Sequence, residues 1–188
     1  SASAQNFGAH IGGSFAKVTN SFKESGISYS IGTDAKFGLT AGAFMELPLR
    51  KSFGFRPEIN FSQKGFKLNF SEGEDKVTGE ETYNYLELPL IFTYKLNAGS
   101  GQVLLGAGPY FGFGISGKTK STITVGGQTE TMNASVKFDG KTEDEVTDNN
   151  THLKALDAGL SFLGGYQLKN GLVFTAGYGL GLSDLSPD

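Results

Sequence analysis

Residues 53–64 read FGFRPEINFSQK, and their side chains alternate between apolar and polar. The odd positions from 53 to 61 are all apolar, while the even positions carry an arginine, a glutamate and a lysine. This period of two predicts a β-strand, because successive side chains of a strand point to opposite faces. If the apolar face points inward, the fold is a soluble sandwich or a ligand-carrying barrel. If it points outward, it faces lipid around a charged lumen.

The composition fits one all-β domain over residues 1–188. Glycine is abundant at 28 residues and cysteine is absent, so neither a disulfide framework nor a thiolate site is expected. The net charge of −3 argues against a nucleic-acid surface. At the start of the chain, Ala2-Ser3-Ala4 has the small-x-small form of a signal-peptidase site. Residues 1–4 are therefore either the remnant of a removed export signal or a chance run of small residues.

The same alternation recurs along the chain and predicts seven strands. These are residues 7–17, 36–49, 53–64, 83–96, 102–117, 153–168 and 172–183. The connections alternate between long (19–35, 65–82, 118–151) and short (50–52, 97–101, 169–171). Outer-membrane barrels have short periplasmic turns and longer extracellular loops. We therefore expect a membrane barrel in the bacterial outer membrane, with a periplasmic N-terminus and extracellular long loops.

The face opposite the apolar one is built mainly from Gly, Ser and Thr with a few charges, as a narrow barrel interior requires. The apolar face is then expected to contact membrane lipid. The predicted lipid-facing residues include Leu88, Leu90, Phe92, Phe111, Phe162 and Phe174. The predicted lumen charges are Glu46, Arg56, Glu58, Glu87, Lys95 and Asp157.

Several short motifs lie on or next to these predicted strands. They are Pro57-Glu58 with Ser62-Gln63-Lys64-Gly65, Tyr85-Leu86-Glu87-Leu88-Pro89-Leu90, Gly108-Pro109-Tyr110, and the closing Gly171-Leu172, Tyr178 and Gly181-Leu182. Together they resemble the PorT-like outer-membrane β-barrel family of the Bacteroidetes. The resemblance implies an eight-stranded, up-and-down antiparallel transmembrane barrel of OmpA or OmpX type, and little about activity. Its closing strand has no counterpart after residue 183, so we expect either a truncated chain or a partner that supplies the pairing.

The lumen charges are expected to form salt bridges that plug the barrel, because buried charges persist only when they are paired. The short turn at 50–52 brings Glu46 opposite or diagonal to Arg56. We expect Arg56 to contact at least one of Glu46, Glu58 and Glu87. The alternative is a proton or ion path, or a pair of carboxylates that work as acid and base.

Other motifs give weaker signals. Residues 112–119 match the phosphate-binding pattern GxxxxGK[ST], but a β-hairpin signal follows where that motif needs a helix, so no nucleotide cofactor is expected. A small lipid-modifying enzyme of the outer membrane would need a catalytic histidine, and His10 and His152 are the two histidines of the chain. Neither lies at a spacing from a serine and an acidic residue that indicates a catalytic site. The acidic stretches around 72–81 and 139–148 could bind divalent cations, but they lack a ligand spacing. We expect no metal site.

The longest connection, residues 118–151, is where we look for a protein partner. Thr122, Thr124, Thr129 and Thr131 flank Gly126-Gly127 and predict a polar hairpin that continues the fifth strand outward. Its edge could pair with an incoming strand, and the alternative is a flexible loop without a partner. The sequence thus favours a non-enzymatic outer-membrane anchor or adhesion module. The alternatives are a soluble lipocalin-like carrier of an apolar ligand and a small outer-membrane lipid-modifying enzyme.

Overall fold

The protein is almost entirely β-structure, as a computed structural model of the chain shows. The structure describes residues 5–16, 19–24, 27–32, 34–72, 75–141 and 150–183. Its strands are β1 (Asn6–Ala16), β2 (Thr19–Glu24), β3 (Ile27–Gly32), β4 (Asp34–Arg50), β5 (Phe53–Glu72), β6 (Asp75–Ala98), β7 (Gly101–Val125), β8 (Gln128–Lys137), β9 (Thr151–His152), β10 (Leu156–Gln167) and β11 (Val173–Gly181). Within these residues, no helix is long and apolar enough to cross a membrane.

The main sheet is an antiparallel meander in the order β1-β4-β5-β6-β7-β10-β11. These seven strands correspond to the seven predicted ones. β8 pairs with β7 beyond the end of the β7–β10 pairing, and β9 adds a short parallel pair to β8. β2 and β3 form a separate two-stranded sheet.

The sheet is strongly curled. The evidence is that side chains from distant strands meet across its concave side. The Lys64 amine on β5 lies 3.4 Å from the Asp157 carboxylate on β10. β6 and β7 lie between these strands, so a flat sheet would separate them by about 14 Å. Within the described chain, β1 pairs only with β4 and β11 only with β10. Residues 184–188, where no counterpart of the family's closing strand is expected, and the possible export-signal remnant at residues 1–4 lie outside the described residues.

Apolar and charged side chains lie on opposite sides of the sheet over the lengths of the strands that are expected to span the membrane. Apolar side chains cover the convex side, where Phe92 is 60% exposed, and charged side chains lie on the concave side, where Arg56 is only 4% exposed. On β6, Leu86 to Leu96 covers about 34 Å along the strand, or about 24 Å after a 45° tilt. This length matches the roughly 25 Å apolar band of outer-membrane barrels.

Aromatic pairs lie near both ends of this apolar band. The Phe53 and Tyr94 ring centroids are 4.6 Å apart at one end, and those of Phe15 and Phe37 are 5.5 Å apart at the other. Aromatic girdles occur at these two levels in membrane barrels, because the rings suit the boundary between hydrocarbon and water.

The predicted loops need correction, because much of each is strand. Residues 19–35 contain β2 and β3, and residues 65–72 and 75–82 prolong β5 and β6 and pair with each other. The strand predicted at 53–64 runs on to Glu72. Its apolar residues change from odd positions, such as Ile59 and Phe61, to the even positions Phe66, Leu68 and Phe70, so the alternation of 53–64 does not reveal the rest of the strand. Residues 118–137 likewise prolong β7 and form β8, and the sixth strand starts at Leu156 rather than at 153.

Candidate functional site: the lumen and the distal sheet

Arg56 and Glu58 form the first of three charge clusters on the concave side. The Arg56 Nε atom lies 2.7 Å from Glu58 Oε1, at ion-pair distance but without the alignment of a hydrogen bond. The Arg56 guanidinium also lies 3.6 Å from the centroid of the Phe44 ring, a cation–π contact. Asn60 donates a hydrogen bond of 3.1 Å to the other oxygen of Glu58. Arg56 is thus held by a carboxylate on one side and an aromatic face on the other.

Lys64 is the centre of the second cluster. Its amine lies 2.6 Å from Glu87 Oε1 and 3.4 Å from Asp157 Oδ2, and the Tyr110 hydroxyl donates to the same Asp157 oxygen over 3.2 Å. The amine also lies 5.1 Å from the centroid of the Tyr85 ring. The predicted network omitted Lys64, although its even position on the charged face of the strand was a sufficient signal.

The third cluster joins β4 to β6 near the short turns. Thr93 Oγ1 donates a hydrogen bond of 2.8 Å to Glu46 Oε1, and the Lys95 amine lies 3.5 Å from the same oxygen. As the turn at 50–52 predicted, the register places Glu46 opposite Arg56, since Phe44 pairs with Glu58 and Leu47 pairs with Phe55 on either side. The expected contact of Arg56 with one of Glu46, Glu58 and Glu87 is made by Glu58, while Glu46 forms its ion pair with Lys95. Arg56 turns towards Phe44 instead. Phe44 is a large apolar residue among the glycine and threonine residues of the concave face, and the alternation of apolar and polar residues did not predict it there.

An apolar cap closes the concave side above these charges. Phe66, Tyr83, Tyr85 and Val136 form a buried cluster, and Phe138 packs against it. The centroids of the Phe138 and Tyr85 rings are 5.5 Å apart. Gly114 is required beneath Phe138, because a Cβ atom there would lie 2.2 Å from the ring.

Beyond the cap, four paired strands continue as an extension, here called the distal sheet: residues 65–72 of β5, 75–82 of β6, 117–125 of β7, and β8. A row of polar side chains on the convex side marks its start, where Gln63 donates to Asn84 over 3.3 Å and Asn84 donates to Ser116 over 3.0 Å. Above this row the two faces exchange character. The concave face becomes apolar and the convex face becomes hydrophilic.

The concave face of the distal sheet is only partly covered. Phe66 is buried near the cap, whereas Phe70 is 64% exposed at the far end. The exposed apolar residues of this face are Leu68, Phe70, Val77, Val125 and Met132. Burial raises the pKa of the Glu81 carboxyl on the same face, and the Tyr83 hydroxyl donates a hydrogen bond to it.

The predicted hairpin forms the tip of the distal sheet. Gly126 and Gly127 both have positive φ, at 58° and 79°, as a type I′ turn requires. On the convex face, the Thr122 and Thr131 hydroxyls lie 3.3 Å apart and those of Thr124 and Thr129 lie 3.0 Å apart. β8 pairs with β7 from Gln128 to Val136 but with β9 only at Val136 and Lys137.

Comparison with known protein families matches residues 3–186 to the family described as outer membrane protein beta-barrel domain. The chain belongs to this family. Neither the curated proteins nor the solved structures compared with it gave a match. The family and the orientation of the faces together identify a membrane-embedded barrel of the outer membrane. They exclude the lipocalin-like alternative, which requires the apolar face to point inward.

The predicted lipid-facing residues of this outer-membrane barrel lie on its convex surface. Phe92 and Phe174 are the most exposed of them, and Leu90 is half-buried beside Pro57 at the middle of the apolar band. The exposed members of the set are Leu88, Phe92, Phe111, Phe162 and Phe174.

The remaining sequence motifs do not assemble a catalytic or metal site in the described residues. Residues 112–119 lie inside β7, so no helix follows the glycines. His10 stacks on Phe44, with ring centroids 6.4 Å apart, and its Nδ1 atom is buried without a hydrogen-bond partner. The Nδ1 atom of His152 lies 2.6 Å from Asp139 Oδ1, and the hydrogen bond between them lowers the pKa of Asp139.

The acidic stretches are only partly described. The side chain of Glu72 and residues 73–74 and 142–149 lie outside the described part of the chain. Among the side chains that are described, no group of three or more His, Asp or Glu residues could hold a metal ion.

Proposed function

We propose that this protein is a non-enzymatic outer-membrane anchor of the PorT-like type that presents the distal sheet to the cell exterior and binds a partner protein there by strand addition. The charges of the lumen argue for an anchor rather than a channel. Those that are described are neutralised by close ion pairs or covered by aromatic rings, so they plug the barrel. The observation that carries the proposal is the free edge of β8.

The edge of β8 offers main-chain groups for pairing. Among the residues that the structure describes, no strand pairs with residues 128–134 on the side away from β7, and the next amide, that of Ser135, donates to the Asn150 side chain over 3.2 Å. Exposed strand edges accept extended peptides through main-chain hydrogen bonds. The occupant we infer is therefore an extended segment of a partner protein.

The side chains of the distal sheet define the composition of that segment. Met132 lies on β8 itself and is 52% exposed on the apolar concave face, so an added strand would extend this face. The convex face beside β8 carries hydroxyl groups and the amines of Lys118 and Lys120. A segment that alternates apolar with polar or acidic side chains would match both faces.

The orientation is tested by epitope insertion. A short epitope between Gly126 and Gly127 should be recognised by antibody on intact cells, because this turn is the tip of the distal sheet. The matched control is the same epitope between Lys51 and Ser52, in the turn at the opposite end of the barrel. That epitope should become accessible only after the outer membrane is permeabilised. The reverse result would place the distal sheet in the periplasm and overturn the proposed orientation.

Strand addition is tested with a shortened hairpin. Deleting residues 121–125 and 128–132 places the Gly126-Gly127 turn directly on the Lys120–Asn133 pair and leaves Val136 in the cap. The probe is a synthetic peptide with the sequence of residues 117–125, GKTKSTITV, which β8 already accepts on its paired edge. We expect saturable binding to the full hairpin, measured by fluorescence anisotropy, and its loss in the shortened protein.

Two controls separate strand pairing from general stickiness. A peptide with proline in place of its central serine should not bind, since proline cannot donate to the ladder. In the protein, Met132→Lys on the concave face should weaken binding more than Thr131→Lys on the convex face of the same strand. Equal binding by the shortened hairpin would refute the edge as the binding site.

A further inference from the structure

The convex face of the distal sheet contains a polar depression that the proposed strand addition does not use. It has a volume of about 210 Å³. One row of its lining runs across three strands, where Lys67, Glu80 and Lys120 are direct neighbours in the register. The next row adds hydrogen-bonding side chains. The full lining is Lys67, Asn69, Thr78, Gly79, Glu80, Lys120 and Thr122.

The charge balance of this depression is positive. Its only carboxylate, Glu80, is engaged from the side by Lys36, whose amine lies 2.6 Å from Glu80 Oε1. The hydrogen bond from Lys36 lowers the pKa of Glu80, with smaller contributions from Lys67 and Lys120. A second carboxylate, that of Asp34, lies beside the depression, because Asp34 faces Lys67 in the β4–β5 register and accepts a hydrogen bond of 3.0 Å from Asn69. The three amines of Lys36, Lys67 and Lys120 thus face the two carboxylates of Asp34 and Glu80.

The depression also has a definite position relative to the membrane. Lys67 lies on the same face of β5 as Phe61, the last apolar residue of the band, and six residues further along an unbroken register with β6. That distance is about 20 Å along the strand, or about 14 Å along the membrane normal at a tilt of 45°. Because the face is convex, the two amines point towards the surrounding membrane surface rather than into the lumen.

We propose that this depression binds a phosphate group of a glycolipid head group in the outer leaflet. The ammonium groups of Lys67 and Lys120 supply charge, and the hydroxyls of Thr78 and Thr122 supply neutral donors around the phosphate oxygens. The amide of Asn69 is engaged by Asp34 and positions the rim of the site. Sugar-bearing head groups reach further from the hydrocarbon than simple phospholipid head groups do, which suits the height of the site. The choice of the outer leaflet rests on the proposed orientation of the distal sheet.

The test uses the full protein in detergent micelles and bisphosphorylated lipid A as the probe, with bound lipid counted by native mass spectrometry. We expect Lys67→Gln combined with Lys120→Gln to weaken binding at least about tenfold, because each lysine near an anionic surface contributes severalfold. The matched control is Lys51→Gln combined with Lys169→Gln, which removes the same charge from the turns at the opposite end and should leave binding unchanged.

A second variant, expected to strengthen lipid binding rather than weaken it, keeps the proposal testable if the double substitution disturbs the fold. Glu80→Gln removes the carboxylate and frees Lys36, so lipid A should bind more tightly. Unchanged binding in both variants, or equal binding of dephosphorylated lipid A, would overturn the proposal. Binding of inorganic phosphate at least as tight as that of lipid A would show that the site binds a free anion and not the lipid. Since the assay uses purified protein, its outcome is independent of the orientation that the epitope insertion measures.

Discussion

The membrane-spanning and distal parts of β5 use opposite faces for their apolar side chains. In the membrane, Ile59 and Phe61 point outward and are about half exposed, while Arg56 is buried inside. Further along the same strand, Phe66 points inward and is buried, while Lys67 points outward and is exposed. The solvent accounts for this exchange. Lipid favours apolar groups on the outside, and water favours polar groups there.

The two parts also use charge differently. Arg56 and Glu58 form a buried pair in the lumen, whereas Lys36 and Glu80 form a pair of similar length on the convex surface of the distal sheet. A buried charge that loses its partner is strongly destabilising, whereas an exposed pair contributes little. The membrane-spanning part should therefore respond far more to substitution than the distal part.

The largest effect is expected for Arg56→Ala. This substitution removes the charge beside Glu58 and the cation that covers Phe44, and should lower the free energy of unfolding by about 3–5 kcal/mol. Lys36→Ala, which breaks the partly exposed pair on the convex surface, should lower it by only about 1 kcal/mol. Both values are measured by reversible urea unfolding in detergent micelles.

A double substitution separates loss of the ion pair from loss of packing. Arg56→Met with Glu58→Leu removes both charges and leaves no unpaired carboxylate, so it should recover most of the lost stability. If Arg56→Ala and Lys36→Ala have equal effects, the two parts do not differ as described.

The next effect concerns apolar residues on the two faces. Leu90→Arg places a charge at the middle of the apolar band and should cost about 2–4 kcal/mol. Phe70→Arg changes a residue that is exposed to water on the concave face of the distal sheet, and should change stability by at most about 0.5 kcal/mol. Folding into lipid vesicles, followed by denaturant titration, measures both. A water-soluble wild-type monomer would contradict the comparison altogether.

A smaller effect is expected at the boundary between the two parts. Phe138→Ala removes a half-buried ring from the apolar cap over Tyr83 and Tyr85, and should cost about 1–3 kcal/mol. Phe70→Ala is the matched control, because it removes the same ring from an exposed position. Equal losses in the two variants would mean that Phe138 does not close the lumen.

The smallest effect is pH-dependent. The hydrogen bond with His152 lowers the pKa of Asp139, so its stabilisation is complete above the unfolded value of about 3.9 and is lost as pH falls through the folded pKa. An NMR titration should find Asp139 below its ordinary range in the wild type and closer to it in His152→Gln. An unchanged titration in that variant would show that His152 does not hold the carboxylate.

Alternation in the sequence predicted much of this fold, and its failures have a common cause. Residues 53–64 predicted a strand with one apolar and one charged face, and the seven main strands followed from the same pattern. The pattern failed at residues 65–82, because apolar residues reappeared on the other parity at Phe66. It also failed to find Lys64, Phe44 and Phe138, whose contacts join strands that are distant in sequence.

The sequence by itself determined the strand period, the two chemically distinct faces and the family, because each depends on residue type at a fixed spacing. Only the tertiary structure decided which charges meet. The curl of the sheet brings Lys64 to Asp157 across two intervening strands and leaves Glu46 with Lys95 rather than Arg56. Curvature and side-chain direction arise from the packing of all the strands together, and no local stretch of residues contains that information.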